Sequence, residues 1–167
     1  MMGFGAASRS ARSGRPASAA IPRASAARAS REMEAHVGRL CAEHGIELAG
    51  SSQRGRAIRW RGGRLEIAIP PIRGQVSYFI ALHEIGHLVG RGRSAPRLEA
   101  EANAWAWALE NSAFEPTEAT LRSISKRLRG YLLWAENRQH RRTPPRIPPR
   151  DHPFWFLLQL GRRGEGR

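Results

Sequence analysis

The sequence predicts an α+β fold, with an N-terminal helix, a small antiparallel β-sheet and then three further helices. Three changes of hydrophobic period along the chain lead to that class. In "REMEAHVGRLCAEHG" the residues Met33, Val37, Leu40, Cys41 and His44 recur at three- to four-residue spacing. In "RLEIAIP" the residues Leu65, Ile67 and Ile69 alternate with polar or small ones. From Gln75 onward the helical period returns and persists, with interruptions at Pro96 and Pro116.

Each element has local support. The first helix ends at Gly45, which can adopt the left-handed conformation of a helix terminus. "GIEL", "RAIRW" around Ile58 and Trp60, and "RLEIAIP" read as strands, the last stopped by Pro70-Pro71. Gly62-Gly63 within "RWRGGRL" suits the positive φ angles of a tight hairpin turn, which favours an antiparallel sheet. "QVSYFIALHEIGHLVG" runs without proline to Gly90. After a basic loop, "RLEAEANAWAWALENSAF" is a second helix, whose alanines suit close packing. A third helix follows Pro116, with Thr117 or Glu115 near its cap and Leu121, Ile124, Leu128, Leu132 and Trp134 as its apolar stripe.

The ends differ from this middle. Residues 1–30 are rich in Ala, Ser, Arg, Gly and Pro and hold almost no large apolar groups, so they are expected to form a disordered basic arm. Residues 31–140 form the folded domain. In 141–167, "RRTPPRIPPR" reads as a polyproline spacer. "HPFWFLLQL" beyond it is too apolar to stay in water and should dock on the domain or on a partner.

Charge and cysteine content narrow the function. The net charge is +14, yet residues 31–137 carry 15 basic and 12 acidic side chains, so +11 of the excess lies in the two ends. Basic ends can attract nucleic acid nonspecifically. However, 27 of the 28 basic residues are arginine, a uniformity that codon bias explains as well as phosphate binding does. The lone Cys41 cannot form an internal bridge and reads as a small buried apolar group. No apolar run approaches the ~20 residues of a membrane span, and no secretion signal is recognisable. The expected setting is cytoplasmic, without a membrane.

The chemistry concentrates in Ala81–Gly90, "ALHEIGHLVG". On a helix, His83 and His87 project from one side and can converge on a metal ion, with Glu84 on a flanking position. A catalytic zinc takes three protein ligands and keeps one position open. A histidine six positions after His87 would complete one known class, but Arg93 stands there and cannot serve. His140 and His152 lie beside the proline-rich tail, where geometry would be poorly fixed. That leaves Glu99 and Glu101 on the next helix. Asn103 lies one turn beyond Glu99 and could bond the outer nitrogen of a ligating histidine. Glu99 is therefore the expected third ligand and Glu101 the fallback.

"ALHEIGHLVG" followed by "LEAEANAWAWAL" resembles the ImmA/IrrE family of zinc metallopeptidases, of the gluzincin kind. The resemblance rests on the HExxH helix and on Glu99, Ala102-Asn103, Trp105 and Ala106 in the helix after it, and extends over roughly residues 31–110. It departs at "LENSAFEPTEAT", which keeps only Pro116 of a Leu-Leu-Met-Pro-like stretch, and in lacking a helix-turn-helix module. It implies a minimal zincin-like domain with one zinc per chain. The implied activity is cleavage of an intracellular regulatory protein, such as a phage or mobile-element repressor.

The parts suggest how such a site would act. Zinc held by His83, His87 and Glu99 would acidify its bound water. Glu84 would take that proton and pass it to the leaving amine. Tyr78, Tyr131 and His36 are the candidates for a second electrophile. A substrate strand could add to the sheet around Leu65–Ile69. The competing readings are a regulatory binding protein on the same fold and a basic nucleic-acid-binding factor.

Overall fold

A computed structural model describes residues 23–92 and 94–160. The first 22 residues of the expected disordered arm, Arg93 and the last seven residues of the tail lie outside the described residues. The element order is α1 (Arg23–Glu43), β1 (Ile46–Ser51), β2 (Arg56–Arg59), β3 (Leu65–Ile69), α2 (Gln75–Val89), α3 (Arg97–Glu110), α4 (Glu118–Glu136) and α5 (Pro153–Gln159). The α+β class is as expected. Helix α1 starts within the span assigned to the arm, so Arg23–Ser30 are helical rather than disordered.

Helix α1 buries Met33, Val37 and Cys41, spaced four apart, as its period foretold. Gly45, at φ 62°, ends it and turns the chain into β1.

The sheet differs from expectation in its topology. Its order is β1-β3-β2, with β1 parallel to β3 and β2 antiparallel to β3, so it is mixed rather than antiparallel. The Gly62-Gly63 hairpin forms between β2 and β3, with φ angles of 97° and 91°. From β1 the chain crosses to the far edge, runs back as β2, and turns into the middle as β3. Burial explains the arrangement. The sequence of β3, "LEIAI", is buried along its middle, whereas "RAIR" of β2 and "IELAGS" of β1 are too polar to be enclosed. Charged strands at the edges and an apolar strand in the centre leave the least uncompensated surface.

Helix α2 occupies the centre of the molecule, buried along most of its length, and touches α1, β2, β3, α3 and α4. Its closest partner is α3. A Cβ placed on Gly86 would meet the carbonyl oxygen of Ala104 at 2.7 Å, so at that point the two helices approach backbone to backbone. Thr117 caps α4, accepting from the Thr120 amide, and Gln75 ties the start of α4 to α2 through Glu115 and Thr117.

The tail docks on the domain itself. Phe154 and Leu157 of α5 are buried against α3 and α4, and Ser125 donates to the Leu158 carbonyl at 2.6 Å. Trp155 donates to the Pro149 carbonyl, folding the proline-rich segment back onto α5. Among the described residues no helix is long and apolar enough to cross a membrane.

Candidate metal centre

The close crossing of α2 and α3 brings three side chains to one point. His83 and His87 stand one turn apart on α2, with their Nε2 atoms 3.0 Å apart. Glu101 of α3 places Oε2 3.3 Å from His83 Nε2 and 3.5 Å from His87 Nε2. Ligand atoms about 2.1 Å from a tetrahedral centre are about 3.4 Å from one another, so these separations match the spacing around a metal ion. Trp105, one turn after Glu101, stacks on the His83 ring at a centroid distance of 4.1 Å and holds its plane.

The three groups are shifted in different senses, His83 and Glu101 toward the form that ligates and His87 toward the protonated form that a metal must displace. Burial pushes the His83 imidazole down to about 4, against the pull of Glu101, so its lone pair is free at ordinary pH. Burial opposes charge on His87 too, but contact with Glu101 raises it above its usual value. Burial also disfavours the Glu101 carboxylate, yet the two histidines outweigh it and hold the group down to about 2. Glu101 Oε2, the atom that faces both histidines, is buried without a hydrogen-bond partner among the described residues. Buried polar atoms left in that condition cost free energy unless something else satisfies them. His83, His87 and Glu101 could hold a metal ion.

Glu99, the expected third ligand, is not part of the trio. It lies on another side of α3, where its Oε1 is 3.5 Å from Arg146 Nε of the proline-rich segment. The fallback, Glu101, takes the position. The apolar stripe of α3 accounts for this: Leu98, Ala102, Trp105 and Ala108 are buried, and Glu101 falls inside that stripe at helical spacing. The stripe was readable in the sequence. The pairing of Glu99 with Asn103 was misleading, because the Asn103 amide lies against Gly92, not against a histidine.

Glu84 borders the same cleft, nearly buried, and burial raises its carboxyl to about 7. Gly55, at φ +77°, packs directly on it: a Cβ there would come within 2.5 Å of Glu84 Oε1. Sequence reasoning missed this glycine, which no local motif marks.

Of the three candidate electrophiles, only Tyr131 lines the cleft. Burial and the neighbouring Glu101 charge raise its phenol to about 12. Tyr78 is fully buried elsewhere, with its hydroxyl 2.7 Å from His36 Nδ1 and accepting from the Ala113 amide. His36 is committed to that pair. His152 caps α5 by accepting from the Phe154 amide.

The cleft has a volume of about 760 Å³ and is walled by β2, α2, α3 and α4. Its sheet border is β2, not Leu65–Ile69. Strand β3 is paired on both sides and cannot accept another strand, whereas β2 is an edge.

In comparison with known proteins, no family model, no curated protein and no solved structure matches this chain.

Proposed function

We propose that this protein is a zinc-dependent endopeptidase of the ImmA/IrrE kind, which cleaves an intracellular regulatory protein such as a repressor. One observation carries the reading: His83, His87 and Glu101 converge in an open cleft that also contains Glu84. A donor set of two histidines and one carboxylate suits catalytic zinc, and the HExxH motif supplies a general base beside it. When bound, the metal supplies Lewis acidity, which acidifies water and polarises a carbonyl.

The remaining chemistry falls to the side chains of the chain. Glu84 takes a proton from the attacking water and returns it to the leaving amine. Burial raises its carboxyl, which makes it a stronger base than an exposed glutamate. Tyr131, whose ring lines the cleft, donates to the oxyanion as it develops. The unpaired edge of β2 aligns an extended peptide across the site by strand addition. Gly55 keeps that edge close to Glu84.

The test is metal analysis together with a cleavage assay. The protein should carry about one zinc per chain, and Glu84→Gln should retain it while losing at least ~100-fold in cleavage rate. Protein purified without chelators that binds no zinc would exclude this function.

A further inference from the structure

The surroundings of the metal centre are basic to a degree that the charge balance of the domain conceals. Arg54, Arg56 and Arg59 reach the cleft from β2 and the turn before it, Arg97 from the first turn of α3, and Arg127 from α4. Among the described residues the acids lining it are Glu84 and Glu101, which belong to the site. None of the five arginines forms an ion pair among the described residues. Among the described residues ion pairs form at Arg28, Arg64, Arg122 and Arg146, so the five are set apart by their convergence on one cleft rather than by lacking a carboxylate.

Arg127 is the most telling. It is half-buried, it acts electrostatically on His83 and Glu84, and it has no carboxylate partner among the described residues. Arg59 is held in place by donating to the Leu88 carbonyl at 2.8 Å, and Arg97 lies over the Tyr131 and Trp134 rings. Cations held on a rigid frame around a concave site focus a positive potential into it.

We propose that the substrate segment entering this cleft is acidic, an extended peptide whose Asp and Glu side chains flank the cleaved bond and meet these arginines. The inference rests on the peptidase reading above and adds the class of substrate to it. Guanidinium groups match carboxylates in geometry as well as charge. An extended peptide laid along the edge of β2 brings its side chains to Arg54 and Arg56 on one wall and to Arg97 and Arg127 on the other. A nucleic acid would also meet the positive field, and the oligonucleotide arm of the test distinguishes it from an acidic peptide.

The test uses the full chain carrying Glu84→Gln, so that bound peptides survive, and mixed-sequence pools of short peptides with strongly negative, zero or strongly positive net charge. Retention is measured at low and at moderate salt. Acidic peptides should bind about tenfold or more tightly than neutral ones, and the preference should shrink as salt screens it. Combining Arg56→Gln with Arg127→Gln should bring the ratio close to one while zinc content is unchanged. Equal binding of the acidic and neutral pools overturns the proposal. So does a ratio unchanged by the double substitution, since Arg56 and Arg127 would then play no part in holding the peptide. A single-stranded oligonucleotide that binds more tightly than the acidic pool also overturns it, in favour of nucleic acid.

Mass spectrometry of the pools after incubation with the unsubstituted chain tests the underlying reading separately. Acidic peptides that bind but stay intact exclude the peptidase and leave the acidic ligand. Cleavage without charge preference does the reverse.

Discussion

Two sides of α3 each present a glutamate, and the two end in unlike surroundings. Glu101 lies in the stripe packed against α2, beside both histidines and beneath Tyr131, and is nearly buried. Glu99 faces the folded-back tail and meets Arg146 at 3.5 Å. The two residues have the same side chain on the same helix and differ by about 200° of rotation. A carboxylate becomes a candidate ligand when its helix face is the one that packs, because only packing brings it to a second element without water between.

The sharpest way to break this comparison is to neutralise each glutamate in turn. Glu101→Gln should weaken zinc binding by at least about a hundredfold, whereas Glu99→Gln should leave it unchanged, as read by zinc titration with a competing chelator. Equal losses would make the two sides equivalent.

The tail side should matter for stability rather than for metal. Phe154 is fully buried, and Phe154→Ala should destabilise the fold by about 3–5 kcal/mol in urea unfolding. Zinc affinity of the folded variant should stay as it was. A loss of metal in step with stability would show that the two sides are coupled.

Cys41 offers a control for burial without a partner. Burial raises its thiol from about 9 to about 11, so the folded state holds its proton where the unfolded chain releases it. Its contribution is therefore intact below about pH 9 and is lost as the pH rises toward 11, by on the order of 2 kcal/mol. Over that window Cys41→Ala should show a flatter decline in unfolding free energy than the parent. Glu101 is buried beside two histidines and shifts in the charged direction instead, because those histidines outweigh its burial.

A smaller effect should come from Gly55→Ala. Forcing a side chain into the left-handed region costs about 1–2 kcal/mol, and the new Cβ displaces Glu84. Zinc content should persist while cleavage falls. Loss of zinc instead would mean that Gly55 supports the trio rather than the base.

Much of this was legible in the chain. The periods of α1, β3, α2, α3 and α4, the Gly62-Gly63 turn and the pairing of His83 with His87 are local features, written within a few turns or one hairpin. The docking of "HPFWFLLQL" followed from its composition, because so apolar a segment cannot remain in water. Strand order was not legible. A β-strand carries no mark of which neighbour it will take, and the Gly62-Gly63 hairpin described only one of the two pairings. The third member of the trio was half-legible: Glu101 stood as the fallback, while Asn103, one turn along from Glu99, drew attention to Glu99.

The sequence by itself determined the first four helices, the hairpin and the two histidines, since each depends on contacts between residues near one another along the chain, whereas the short helix α5 in the tail was not foreseen. Only the tertiary structure decided that Glu101 meets those histidines, that Gly55 presses on Glu84, and that five separated arginines line one cleft. These are juxtapositions of α2 with α3, β2 and α4. They arise from the close approach at Gly86 and from the enclosure of β3, where burying the most apolar surface fixes which elements face one another.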